Sequence, residues 1–338
     1  MKKPKVVVTQ RVHQEVLDCL SQVCEVVSNP TTEPWPHEIV LRHAQDAQAI
    51  MVFMPDRIDA SFLDQCPELR VVGAALKGFD NFDVQACTDR GIWFTFVPDL
   101  LTVPTAELTV GLLISVSRNM LAGDRFVRSG VFNGWRPHLY GTGLAGSTVG
   151  IIGMGAVGQA TARCLRGFDA ELLYYDLAQL PRKVEAELAL SFAPLEELLE
   201  KSDFVVVILP LTDETQQLIS RDAISRMKQG SFLVNTGRGS VVDEEAVAEA
   251  LAIGKLAGYA ADVFAMEDWA WSDRPSSIPL ALLEHTEKTF FTPHLGSAVD
   301  EVRRRIAMQA AQNILQALAG ETPPNALNQP SQPCVVGG

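Results

Sequence analysis

Along this chain, short runs of apolar and β-branched residues alternate with longer amphipathic stretches. Runs at Lys5–Thr9, Cys24–Ser28, Ala49–Phe53, Arg70–Ala74 and Ile92–Phe96 predict a first series of strands. Runs at Thr148–Ile152, Leu172–Tyr175, Phe204–Leu209, Ser231–Asn235, Gly258–Asp262 and Thr289–Phe291 predict a second. Both series are continuously apolar rather than alternating, as strands are when helices cover both faces of a sheet. Strand–helix alternation predicts parallel sheets joined by right-handed crossovers. Two such series predict an α/β protein of two doubly wound, Rossmann-like domains.

Pro98-Asp99 and Pro104 mark a joint near residue 100, and Thr292-Pro293 marks a second. After the first joint, Thr105 is placed to cap one long helix reaching about Arg128. Its apolar positions Ala106, Val110, Leu113, Ile114 and Val116 cover more than one face, which predicts burial between domains or between subunits. A last helix is expected over about Val299 to Ala319. The tail Glu321–Gly338, with Pro323, Pro324, Pro330 and Pro333, is expected to be irregular and partly mobile.

Composition narrows the function classes. The 338 residues are 47% hydrophobic and 20% charged, enough to bury large cores without disulfide or metal staples. No apolar run reaches membrane-spanning length, and Val6–Val8 behind Met1-Lys2-Lys3-Pro4 is too short for a secretory leader, so a cytoplasmic protein is expected. The net charge of −13, with no basic block, argues against nucleic-acid and membrane surfaces but allows a locally positive pocket for a small anion. Cys19, Cys24, Cys66, Cys87, Cys164 and Cys334 form no C-x-x-C pair, so reduced thiols and no metal are expected.

The strongest motif is Gly153-Met154-Gly155-Ala156-Val157-Gly158, which follows a strand and opens a helical stretch at Gln159–Leu165. Gly153 serves the tight turn, Gly155 the approach of a pyrophosphate and Gly158 close helix–sheet packing. The helix N-terminus faces the phosphates. Asp176 ends the next strand, where a carboxylate reads the ribose hydroxyls and repels a 2′-phosphate. NAD is thus favoured, with NADP as a poorer substitute.

Three polar residues follow strands of the second series. Arg238 follows Ser231–Asn235, Glu267 follows Gly258–Asp262 and His294 follows Thr289–Phe291. An arginine fork binds paired anionic oxygens. A histidine accepts a proton near neutral pH, and a carboxylate orients it.

Gly153–Gly158, Asp176, Asn235–Ser240, Asp262-Val263-Phe264 and Thr292–Ser297 together resemble the D-2-hydroxyacid dehydrogenase family over nearly the whole chain. The resemblance implies a discontinuous substrate domain (1–100 and 295–338) and an NAD-binding domain (101–294). It also implies an active site in the cleft, and a homodimer with the helix after Pro104 at its interface. It places Arg238, Glu267 and His294 at the catalytic positions. Cofactor contacts are implied at Thr105, Ala156, Val157, Ile208, Leu209, Pro210, Thr236 and Gly237, besides the fingerprint glycines. Lys77, Arg238 and His294 are expected to reach the cofactor as well, and Asp262 to hold the nicotinamide amide.

Within that family, Phe53–Asp56, Leu76–Asp83, Val97–Glu107, Gly134-Trp135, Tyr140–Gly143 and Met266–Trp269 are most similar to the phosphite-oxidising members. Lys77 adds a second full positive charge where ordinary members present a small residue and backbone amides. The resemblance implies NAD-dependent oxidation of phosphite. Lys77, Gly78 and Arg238 would bind the anion, Met54, Trp135, Tyr140 and Ser297 would shape the pocket, and Arg303 would reach the partner's site. Two other readings compete: a D-2-hydroxyacid dehydrogenase or glyoxylate reductase, and a non-enzymatic NAD-sensing protein similar to the carboxyl-terminal binding protein corepressors.

Overall fold

The computed structural model describes residues 3–271 and 273–330. The chain forms two compact units. The first takes the described residues of Met1–Leu101, Trp269–Ser272 and Ala298–Gly338; the second takes Thr102–Asp268 and Asp273–Ser297. Each is a parallel α/β unit built on one sheet.

The first unit holds strands β1 (Lys5–Val8), β2 (Glu25–Ser28), β3 (Ala49–Val52), β4 (Val71–Ala74) and β5 (Trp93–Thr95), in the order β2-β1-β3-β4-β5. β3 and β4 are buried throughout, which explains their unbroken apolar sequences. The helix Asp300–Leu318 returns to this sheet and packs Ile306, Ala310 and Ile314 into its core. Gly73 in β4 makes room for it, since a Cβ there would lie 2.6 Å from Ile314.

The second unit holds β6 (Thr148–Ile152), β7 (Glu171–Tyr175), β8 (Leu190–Phe192), β9 (Phe204–Val207), β10 (Ser231–Asn235), β11 (Leu256–Ala261) and β12 (Thr289–Phe291). Their order is β12-β11-β10-β9-β6-β7-β8. The order reverses at β6 and β9, the switch point where doubly wound sheets take ligands beyond their carboxyl ends. Among the described residues, no helix is long and apolar enough to cross a membrane.

Several expectations need correction. The long helix is two helices, Thr102–Ser117 and Met120–Arg128, broken where Asn119 turns left-handed (φ 52°). Thr105 therefore lies inside a helix that begins at Thr102. That first helix is buried within the second unit, against the helix Ala156–Leu165 and strands β10 and β11, whereas Met120–Arg128 buries no residue. β8 was missed because it is a three-residue edge strand entered through a left-handed Ala189. The return to the first unit falls at Ala298 rather than 295, because Leu295 and Gly296 are tied by their amides to Asp262 of the second. The tail is irregular but fastened as far as Asn328, whose side chain accepts from Phe94 N (2.8 Å) and donates to Ile92 O (2.8 Å). Pro333 and Cys334 lie outside the described residues. Cys19, Cys24, Cys66, Cys87 and Cys164 are free thiols, but Cys164 is exposed.

One buried carboxyl fastens the carboxyl ends of β1 and β3 together. Asp56 Oδ2 accepts from Thr9 Oγ1 (2.5 Å) and from Phe53 N (2.7 Å). Burial pushes its pKa up from 3.8 to about 6, against the opposing pull of those two bonds. A carboxyl raised in the folded state stabilises the fold fully below its unfolded value, and that contribution is lost as pH rises through about 6. Asp56→Asn keeps an acceptor oxygen and cannot ionise. Between pH 5 and 8 the wild type should lose about 1–3 kcal/mol of stability relative to this variant. Parallel melting curves across that range would show that Asp56 does not titrate there.

Candidate functional site

The fingerprint turn is built by backbone proximity. Gly153 has φ 98°, and a Cβ there would meet Ile208 O at 2.3 Å. A Cβ on Gly158 would meet Gly153 O at 2.2 Å. Gly155 differs, because a Cβ there would meet no protein atom within 4 Å. Its lack of a side chain leaves open space at the N-terminus of the helix Ala156–Leu165, as a pyrophosphate requires. Asp176 sits against the same turn, Oδ2 accepting from Met154 N (2.6 Å) and Oδ1 from Leu177 N (2.7 Å). A carboxylate has further lone pairs for ribose hydroxyls. These residues fit NAD: an open cradle at a helix N-terminus, with a fixed carboxylate beside it.

The opposite wall follows β9 and β10. Ile208, Leu209 and Pro210 lie just past β9, not within it. Gly237 lets the next loop press on them, for its Cβ would fall 2.5 Å from Leu209 O. Thr236 is buried and spends its hydroxyl on Thr109 Oγ1 (2.9 Å), so its side chain serves the second unit's interior.

The loop carrying Arg238 is knotted by Asn235. That buried side chain donates to Arg238 O (2.9 Å) and accepts from Gly237 N (3.1 Å). Gly239 then brings the loop against the turn Ala265–Glu267, so closely that a Cβ would fall 1.8 Å from the Phe264 carbonyl carbon. In that turn, Glu267 Oε1 accepts from Phe264 N (2.8 Å) and Oε2 meets His294 Nδ1 (2.8 Å). A carboxylate at Nδ1 fixes the tautomer with its proton there, leaving Nε2 as the acceptor. Arg238, Glu267 and His294 are thus brought together past the ends of β10, β11 and β12.

His294 itself is left-handed (φ 57°), a conformation that costs about 1–2 kcal/mol for an L-residue. Asp262 holds it there. Oδ1 accepts from Thr292 Oγ1 (2.5 Å) and Leu295 N (2.6 Å), and Oδ2 from Gly296 N (2.8 Å), while His294 N donates to Asp262 O (2.9 Å). Burial raises the Asp262 pKa, and the bonds it accepts pull the other way. Expected to hold the nicotinamide amide, this carboxylate has both oxygens engaged in holding the His294 loop. Thr105 stands beside it, Oγ1 lying 3.2 Å from where a Gly296 Cβ would be.

Sequence reading missed Asn235, Gly239, Glu244 and Asp268. Glu244 Oε1 accepts from Ala265 N (2.8 Å) and Asp268 Oδ2 from Ser240 N (2.8 Å), pinning the Glu267 turn from both sides. Burial first, then the nearby Asp268 and Glu267 charges, raise the Glu244 pKa to about 7. Their signal was position beside the motifs, not residue type.

The other expected residues fall elsewhere. Lys77 and Gly78 are half-buried after β4, and Met54 is half-buried after β3, its carbonyl held by Asn81 Nδ2 (3.1 Å); all three belong to the first unit. Arg303 also belongs there, with its guanidinium 5.8 Å from the Phe53 ring centre. Ser297 ends the second unit. Trp135 and Tyr140 are 82% and 75% exposed, so the second unit packs neither of them into its Arg238–His294 group.

Comparison with known proteins accords with this geometry. Residues 110–296 match the family model described as "D-isomer specific 2-hydroxyacid dehydrogenase, NAD binding domain". The chain is 39% identical over 336 residues to a glyoxylate reductase of Thermofilum pendens, covering 97% of this chain and 96% of that protein. A glyoxylate reductase of Aeropyrum pernix is 39% identical over 334 residues, covering 97% of each. The crystal structure of TT0316 protein from Thermus thermophilus superposes with a TM-score of 0.85 at 35% identity, covering 96% of this chain and 100% of that one. The chain belongs to the D-isomer-specific 2-hydroxyacid dehydrogenase family and is an NAD-dependent oxidoreductase.

Proposed function

We propose that the enzyme oxidises phosphite to phosphate with NAD+, and the observation that carries this reading is Lys77. A half-buried lysine follows the buried strand β4, beside the glycine that leaves backbone amides accessible. With Arg238 it gives the substrate two fixed positive charges, which match a phosphite dianion better than the single charge of a 2-hydroxy acid. NAD, when bound, supplies a hydride acceptor. The chain's own groups do the rest. Arg238 and Lys77 orient the anion and stabilise the charge that develops on its oxygens. His294 Nε2 takes a proton from the attacking water, and Glu267 stabilises the imidazolium that results. In balance, phosphite, NAD+ and water give phosphate, NADH and one proton. Trp135 and Tyr140, with exposed Val127, Val131 and Phe132, form an apolar surface that supports a homodimer.

A second reading is reduction of glyoxylate or a similar 2-oxo acid. The names of the relatives from Thermofilum pendens and Aeropyrum pernix favour it. The same Arg238, Glu267 and His294 would serve it, with Arg238 holding a carboxylate and His294 donating the proton. A non-enzymatic NAD sensor would use the cofactor cradle without needing the geometry of His294 and Glu267.

The test is NADH formation with phosphite, beside D-glycerate and glycolate, and NADH consumption with glyoxylate, with NADP and NADPH run in parallel. Phosphite should give by far the highest kcat/KM, with NAD preferred. Lys77→Ala should raise the KM for phosphite at least tenfold. Turnover confined to glyoxylate would establish the second reading, and an unchanged KM in Lys77→Ala would remove the lysine from the substrate. In a separate test, Asp176→Ala should shift the NADP-to-NAD preference toward NADP about tenfold or more, by removing the carboxylate that repels a 2′-phosphate. An unchanged ratio would show that Asp176 does not read the ribose.

A further inference from the structure

The first unit has a ligand-binding feature that the proposed reaction does not use. In its sheet, order β2-β1-β3-β4-β5, the chain runs outward in opposite directions from β1 and β3. The carboxyl ends of these two strands diverge into different loops, and such switch points are where open α/β sheets form their crevices. A cavity of about 340 Å³ occupies that place. It is lined by Arg11, Val12 and His13 from the segment after β1, Phe53 directly after β3, and Asp300 and Arg303 from the helix Asp300–Leu318. All of these residues belong to the first unit.

The lining has a definite charge arrangement. Arg11 and Arg303 bring two guanidinium groups to one cavity of a protein whose net charge is −13. The lone carboxylate among these residues, Asp300, meets His13 Nε2 at 3.0 Å. Arg303 stands over the Phe53 ring at 5.8 Å, which fixes where its guanidinium can point. Burial disfavours the charge of Arg303, a cost that a bound anion offsets. The floor is rigid, because Asp56 bonds both Thr9 after β1 and the backbone of Phe53 after β3. A preorganised wall costs less to order when a ligand binds.

We infer that this cavity is a phosphate-binding site, separate from the anion-binding groups assigned to the reaction. Two arginines match the two charges of a phosphate group, and each guanidinium can offer it paired N–H donors. The cavity has more room than one tetrahedral anion fills, and the Phe53 ring gives it an apolar side. The same chemistry therefore suits inorganic phosphate or the phosphate group of a small organic monoester.

The test is calorimetric titration of the full chain in chloride buffer, first with inorganic phosphate and then with glycerol phosphate. Phosphate binding should persist in Lys77→Ala and in Arg238→Ala, which separates it from the anion groups of the reaction. Arg11→Gln should weaken it at least tenfold while leaving phosphite turnover unchanged, and Arg303→Gln should weaken it as well. Arg11 is exposed on a loop, so its variant keeps the fold even if that of Arg303 does not. Tighter binding of glycerol phosphate would identify an organic phosphate as the ligand, and tighter binding of inorganic phosphate the free ion; either supports the site. Wild-type affinity in Arg11→Gln, or no phosphate binding beyond what Lys77→Ala and Arg238→Ala abolish, would overturn it. Turnover with phosphite is read separately, so failure of the proposed reaction leaves this result interpretable.

Discussion

The catalytic geometry rests on the buried carboxylate of Asp262. Its two oxygens accept from Thr292, Leu295 and Gly296, and its carbonyl accepts from His294 N. Hydrogen bonds to an ionised carboxylate are stronger than neutral ones. Together they outweigh the local cost of a left-handed histidine and turn the ring so that Nδ1 meets Glu267. Without that clamp, the segment after β12 would relax toward an ordinary conformation, and the carboxylate–imidazole pair would be lost. Asp262 therefore acts through His294, by positioning it.

Close backbone approach does the remaining work of assembly. Gly239 presses the Arg238 loop onto the Glu267 turn, and Gly237 presses the same loop onto Leu209. Gly153 and Gly158 pack the fingerprint turn in the same way, while Gly155 alone faces open space. In four of these positions a methyl group would collide with protein, and in the fifth it would project where the cofactor's phosphates belong. The second unit thus sets one floor of touching backbones under both the cofactor cradle and the catalytic group.

Much of this was legible in the sequence. Continuous apolar runs marked both sheets, because strands buried on two faces carry little else. The fingerprint and the residues after β10, β11 and β12 pointed to the site, because strand ends in doubly wound sheets are where ligands bind. What escaped reading depends on tertiary contact. Nothing local marks Asn119 as a helix break, or Leu190–Phe192 as a strand. Nor does local sequence show that Glu244 and Asp268 reach across to pin a turn, or that Asp262 grips the histidine loop. Trp135 and Tyr140 read as pocket residues, yet their side chains lie exposed in the single chain.

The most direct test of this account is the protonation pattern of the His294 ring, read by nitrogen NMR of histidine-labelled enzyme, with His294→Asn to assign the signal. At a pH where the ring is neutral, the expected result is a proton on Nδ1, bonded to Glu267, and a bare Nε2. Glu267→Gln should abolish that preference, and Asp262→Asn should weaken it by loosening the loop. A neutral ring protonated at Nε2 in the wild type would contradict the account, because no proton acceptor would then face the reacting water.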